Sequence, residues 1–325
     1  MYQLDNSIIK TDLQDNAVLR DISKSGRVRP WKPKKDDSLE IAGSFRRNGD
    51  LLRAKRMQYC GSDLEFAVYH DGSRKLKSTQ FCKNRLCPMC AWRKSLLIYH
   101  QTLDLIGEIR KEYKSIRFLF LTLTIQNCNL FELSSCMDDL QAGLNKLLRR
   151  KDLKVIRGCF YAYEITINRL LGTAHPHIHL LLAVNGNYFS KGYIKHDSWV
   201  SMWRESCNLN YDPIVDIRPF KGDIEKATAE AAKYTVKGSD YIFNDKELQD
   251  LTVDILDSAL YGRRVIGYRG IFKDMRKKLN QIDVEKADLT DLGIENDDQN
   301  LNYLYLERYH FHIGIGFADS NYYLV

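Results

Sequence analysis

Two runs of strand-forming residues, 158–168 and 177–184, lie either side of a short stretch that contains Gly172. The pattern predicts two strands joined by a turn, a hairpin in which alternate side chains share a face. The second run opens on His175-Pro176-His177-Ile178-His179. Residues i and i+2 of a strand point the same way, so His177 and His179 offer two imidazoles to one cation while Ile178 packs into the core behind them. The preceding strand, within Tyr161-Ala162-Tyr163-Glu164-Ile165-Thr166, supplies Glu164, which a hairpin lays beside the histidine pair. Two imidazoles, one carboxylate and open water positions suit Mn²⁺ or Mg²⁺ acting as a Lewis acid on phosphoryl oxygen. A lone strand histidine would more simply bond to backbone, but here three of eight histidines crowd into five residues. His175 precedes Pro176 and is expected where the chain is still turning into the strand.

Other segments supply the rest of a sheet and its helices. Residues 117–126 read as a buried strand, and 131–150 as an amphipathic helix with Leu133, Met137, Leu140, Leu144 and Leu148 on one face. Residues 198–207 and 223–237 read as helices and 214–218 as a short strand. Order and type give an α+β fold, a sheet of four to five strands with helices on one face. Residues 1 to about 50, broken by Pro30 and Pro33, read as a loosely structured polar arm.

With 44% apolar and 28% charged residues, the 325-residue chain has the composition of a globular protein and not of a disordered one. Its 49 Lys plus Arg against 42 Asp plus Glu give a net charge of +7, which leans toward a polyanionic partner. Residues 53–94 hold ten basic side chains against three acidic ones, and Arg149-Arg150-Lys151 closes the predicted helix, so Arg85, Arg93, Lys94, Arg149 and Arg150 are candidate DNA contacts. Residues 281–300, with seven acids and one lysine, read as a solvated linker. No apolar run is long enough to span a bilayer and the first residues are polar, so a cytoplasmic protein without membrane contact is expected. Reducing conditions then argue against disulfides for the eight cysteines. Cys82-x₄-Cys87-x₂-Cys90, preceded by Cys60, has the spacing of a structural Zn²⁺ site, with His70 as a substitute ligand; buried thiols in a basic segment are the simpler alternative. Cys128, Cys136, Cys159 and Cys207 stand alone beside apolar residues and read as core fillers.

A further motif is Glu230-Ala231-Ala232-Lys233-Tyr234-Thr235-Val236-Lys237. On a helix Glu230, Tyr234 and Lys237 share one face, which is either an ordinary polar surface or a phenol flanked by a carboxylate and an ammonium. Taken in order, Phe120-Leu121-Thr122-Leu123-Thr124, His175-Pro176-His177-Ile178-His179 and Tyr234-Thr235-Val236-Lys237 resemble the three motifs of rolling-circle replication initiators in the HUH endonuclease superfamily. Glu230 and the block from Phe81 to Lys94 resemble more narrowly the Rep proteins of small Gram-positive plasmids that use a single tyrosine.

The resemblance covers about residues 55–245. It implies an HUH-type antiparallel sheet with flanking helices, a metal held by His177, His179 and Glu164, and a site-specific nickase acting on plasmid origin DNA. It implies too that Tyr234 becomes linked to the 5′-phosphate, leaving a 3′-OH primer, and that Glu230 activates water at termination, with Lys237 beside them. A carboxylate one helical turn from the tyrosine can act as a general base and release the product. Tyr241 follows Gly238-Ser239-Asp240, which should end the helix, so it reads as a packing or stacking residue. No G-x-x-x-x-G-K-[ST] loop occurs, so unwinding is expected from a host helicase. Tyr303, Tyr305, Tyr309, Phe311 and Phe317 alternate enough for extra strands and read as core.

The expected organisation is a polar arm (1–52), a basic zinc-ribbon-like module (53–104), a nickase core (105–245) and a C-terminal region (246–325). The alternatives are an HUH transposase or relaxase, or a zinc-containing DNA-binding regulator that cuts nothing.

Overall fold

The computed structural model describes residues 17–23, 26–219, 228–229, 236, 240–292, 303–314 and 320–325. The chain divides into two compact units, Met1–Cys90 with Asp288–Val325, and Ala91–Ala287.

The first unit carries helices α1 (Trp31–Arg47) and α2 (Leu51–Gln58) and strands β1 (Asp63–Val68), β2 (Arg74–Ser78), β9 (Tyr305–His312) and β10 (Asn321–Leu324). Its sheet is antiparallel, in the order β10-β9-β1-β2. Residues 1–16 of the expected loose arm lie outside the described residues, and helix α1 overturns that expectation over Trp31–Arg47. Pro30 caps it and Pro33 lies in its first turn, where a missing N–H removes no helical hydrogen bond, so the two prolines start the helix and do not break it. Trp31 at its head is buried, donates to Asp21 at 2.7 Å and meets the Phe66 ring edge-on. Of the C-terminal aromatics, Tyr309 and Phe311 are core, Tyr303 and Tyr305 are exposed, and Phe317 lies outside the described residues.

Helix α3 (Pro88–Glu112) leads into the second unit. There, β3 (Arg117–Thr124), β4 (Cys128–Asn129), β5 (Ile156–Asn168), β6 (Thr173–Val184), β7 (Val215–Pro219) and β8 (Ile266–Gly270) form one antiparallel sheet, ordered β7-β3-β6-β5-β8 with β4 beside β6. Helix α4 (Leu133–Leu147) packs against β6 through Leu133, Met137, Leu140 and Leu144, with Leu147 buried in place of Leu148, and α5 (His196–Cys207) packs on α4. Helix α6 (Lys246–Leu260) packs on α4, and α7 (Ile271–Lys278) packs on β5 and β8.

Six strands replace the four to five expected because β4 has only two residues and β8 carries two glycines, a weak strand signal. Gly267 is required there, since a Cβ would fall 2.3 Å from the Tyr161 ring. Strand β6 also begins earlier than expected and includes His175, opposite Thr166. On its other side β6 pairs with β3 only as far as His177 and with β4 from Ala174, so Pro176 sits in the gap between two ladders.

The acidic stretch is not a solvated linker over its described part. Val284, Ala287, Leu289 and Leu292 are buried, and these apolar residues between the acids anchor it. The helix expected at 223–237 falls almost wholly outside the described residues. The units also divide the chain differently from the four expected segments, at Cys90 and not residue 104, with β9 and β10 completing the sheet of the first unit. Among the described residues no helix is long and apolar enough to cross a membrane.

Candidate active site and cysteine cluster

Register builds the first site. Directly opposed residues of an antiparallel pair share a face, and Glu164 of β5 lies opposite His177 of β6, while Thr122 of β3 lies opposite His179. His179 Nε2 lies 2.9 Å from Glu164 Oε2, and His177 Nε2 lies 3.5 Å from the same oxygen. The three side chains are 3% (Glu164), 9% (His177) and 6% (His179) exposed, and one ligand atom from each comes within 4.8 Å of the others.

The far side of each imidazole is also engaged. His177 Nδ1 donates to the His175 carbonyl at 3.1 Å, and His179 Nδ1 lies 3.1 Å from the Thr122 hydroxyl. With Nδ1 of each ring engaged on the side away from the carboxylate, both Nε2 atoms face Glu164, the arrangement a pair of metal ligands needs. Two imidazole nitrogens and one carboxylate oxygen, buried and converging on one point, are a donor set that fits a divalent ion.

Sequence reasoning missed the support around this set. Phe120 stacks on His179 with centroids 5.5 Å apart, and the exposed Arg218 guanidinium lies 5.0 Å over the Phe120 ring. The usable signal was alternation, since Arg218 and Asp216 of β7 oppose Phe120 and Thr122 of β3. Glu230, Tyr234 and Lys237 lie outside the described residues. Tyr241 is fully buried, a packing residue as expected.

The basic candidates separate by burial. Arg149 is exposed, Arg85 is half-buried, and Arg150 is half-buried and pairs with Glu205 at 2.8 Å. Arg93 and Lys94, expected at a DNA surface, are buried, and Lys94 donates to Glu285 at 2.6 Å. Lys94 falls on the helical stripe of Cys90, Leu97 and Ile98, which turns it inward and spends its charge inside the protein.

In the first unit Cys60, Cys82, Cys87 and Cys90 are all buried and converge. The closest sulfur pairs are 3.5 Å (Cys60 and Cys90), 3.7 Å (Cys82 and Cys90) and 3.7 Å (Cys60 and Cys87) apart. Four thiolates at about 2.3 Å around one tetrahedral ion would stand about 3.8 Å apart, so the cluster fits Zn²⁺. His70 is exposed and Cys60 completes the set.

Helix α1 supports the cluster with two residues no motif announced. Ser38 Oγ lies 3.4 Å from Cys87 Sγ and accepts from the Met89 N–H, and the buried Lys35 donates to the carbonyls of Gln58 and Cys60 and to the Ser62 hydroxyl. Burial lowers the Lys35 pKa to about 8, against the opposing pull of the cysteines. Burial also pushes the Cys87 thiol up, but hydrogen bonds from Cys60, Cys82, Cys90 and Ser38 outweigh it and hold Cys87 well below the ordinary thiol range. Such a group is disposed to bind metal as a thiolate. Cys128 and Cys159 are buried as expected, whereas Cys136 and Cys207 are only partly so.

Residues 73–313 match the family described as Replication protein. The chain is 38% identical to a Protein rep of Bacillus amyloliquefaciens over 93% of this chain and 96% of that one. It is 37% identical to a Protein rep of Streptococcus pneumoniae over 90% of this chain and 92% of the relative, and 36% identical to one of Lentilactobacillus hilgardii over 82% and 88%. No solved structure matches the chain.

Proposed function

The chain belongs to the replication protein family, and from that premise we propose that it initiates plasmid rolling-circle replication as a metal-dependent, site-specific single-strand nickase. The observation that carries the chemistry is the convergence of His177 Nε2, His179 Nε2 and Glu164 Oε2 with both Nδ1 atoms engaged elsewhere. These three residues would hold Mn²⁺ or Mg²⁺, which supplies Lewis-acid polarisation of a phosphoryl oxygen.

The remaining roles belong to side chains of the tyrosine motif. The Tyr234 phenol oxygen forms a bond to phosphorus as the bond from phosphorus to the 3′-oxygen breaks, and the phenol proton reaches the departing oxygen through solvent. A 5′-phosphotyrosyl link and a 3′-OH primer result. Lys237 stabilises the phenolate, whose ordinary pKa of about 10 makes the free phenol a poor nucleophile at neutral pH. At termination Glu230 takes a proton from water, the water oxygen bonds to phosphorus as the bond from that phosphorus to the 3′-oxygen breaks, the departing oxygen takes up a proton, and no second protein link to DNA forms. Arg149 and Arg85 are the proposed phosphate contacts, and a host helicase does the unwinding.

Single-stranded oligonucleotides tiled across the replicon that encodes the chain test this directly. In Mn²⁺, label should transfer covalently to the protein on the strand that carries the nick site. Salt-sensitive binding with no covalent product on any strand would instead identify a non-cutting regulator.

The cysteine cluster is proposed to be structural. Protein purified without chelators should contain about one tightly held zinc per chain, and Cys87→Ser should lower thermal stability or solubility. Metal analysis that finds no zinc would overturn the assignment. The catalytic ion should by contrast exchange readily, because a site with open water positions holds its ion more weakly than four thiolates do.

A further inference from the structure

The hairpin that carries the metal ligands continues past them. Beyond Glu164 opposite His177, the register runs through Thr166 opposite His175 to Asn168 opposite Thr173. Four residues of strand carry it about 13 Å from the ligands. The turn beyond presents Leu170 and Leu171, which are 97% and 70% exposed. Asn129 of β4 lies opposite Thr173, the Leu130 N–H donates to the Gly172 carbonyl, and the next residue, Phe131, is 72% exposed. Three large apolar side chains therefore stand at one end of the sheet.

The tip is built to hold them outward. Asn168 Oδ1 accepts from the Leu170 N–H at 3.1 Å and the Leu171 N–H at 3.2 Å, and Gly172 turns the chain at φ +60°. Between tip and ligands lies an open cavity of about 560 Å³, lined by Asn127, Thr166, Ile167, Asn168, Arg169 and His175. Its lining holds one full positive charge, that of Arg169, and no carboxylate; the guanidinium lies 5.2 Å over the Phe243 ring. An apolar point rimmed by amides and one cation suits a base stack on a phosphate backbone.

We propose that this tip is a wedge that opens DNA beside the nick site, an inference that rests on the nicking function argued above. Leu170 and Leu171, with Phe131, enter the base stack where duplex meets single strand. Arg169 and the amide-lined cavity receive the backbone of the freed strand. That strand then runs along Thr166 and His175 toward Glu164, His177 and His179, continuous with the reaction site.

The test pairs two substrates with the doubly substituted full chain, Leu170→Ser with Leu171→Ser, changes that are exposed and leave the core intact. One substrate is supercoiled replicon DNA, read by permanganate reactivity of thymines and by nicking; the other is the single-stranded nick-site oligonucleotide. Opening and nicking of supercoiled DNA should fall by about tenfold or more, while cleavage of the single strand stays within about threefold. The Leu170→Met, Leu171→Met chain, which keeps an apolar wedge, should open supercoiled DNA as the wild type does. Equal loss on both substrates, or no loss on either, would overturn the wedge. Unaltered opening together with a changed oligomeric state would overturn it too and assign the tip to a second copy of the chain. Thymine opening by a wild-type protein that cuts neither substrate would leave the wedge standing and remove the nicking function instead.

Discussion

Replacing His179 with alanine is expected to reduce strand cleavage to background, a loss of about 10³-fold or more, and His177→Ala should do the same. Polarisation of a phosphoryl oxygen by a metal ion accounts for several kcal/mol of transition-state stabilisation, and two remaining ligands do not hold the ion. Duplex binding should change little, because phosphate contacts by basic residues supply most of the affinity. His175→Ala should matter less. Its ring centre is 5.3 Å from that of His177, and it lies outside the converging set with Glu164. The measurements are initial cleavage rates on the nick-site oligonucleotide, binding isotherms on duplex DNA, and thermal unfolding as the check on structure. Wild-type-like cleavage by both the His177 and His179 variants would rule out this metal site.

The second large effect divides the tyrosine motif. Tyr234→Phe removes the oxygen that must bond to phosphorus, so nicking and the covalent adduct should both vanish although the aromatic ring is kept. Glu230→Gln should spare the first cleavage and slow termination by about 10²- to 10⁴-fold, the range typical of a general base. In cells this would appear as plasmid products that overrun one unit length, and in vitro as initiation without release. If Glu230→Gln lost initiation as completely as Tyr234→Phe, the carboxylate would belong to the first step and the single-tyrosine termination scheme would be abandoned.

The convergence of the two histidines and the carboxylate was legible because a period of two fixes which side chains share a face, and a hairpin fixes which of them meet. Glu164, His177 and His179 follow from those two rules alone. The same rules reach Thr122 and Arg218 only once the partners of β3 are known, and a strand does not announce its neighbours. Pro176 was misleading for a related reason, since its tolerance depends on a gap between β3 and β4 that exists only in the assembled sheet. Cysteine spacing pointed to the cluster, but nothing local marks Lys35 as a buried donor to the carbonyls around it. Lys94 shows the converse error, in which a charge counted toward a surface patch proves to be an internal partner of Glu285.

Strand β9 lies between β1 and β10, and the ion pair of Arg308 with Glu65 spans 243 residues of chain. Order of synthesis therefore differs from order of completion. The middle unit is contiguous from Ala91 to Ala287 and can close as soon as it leaves the ribosome, whereas the sheet begun by β1 and β2 must wait for β9. Until then β1 presents an unpaired edge, along which nascent chains on one message could pair with each other. A stop codon between residues 288 and 305 would leave that edge open permanently while sparing β5 and β6, the strands that carry Glu164, His177 and His179.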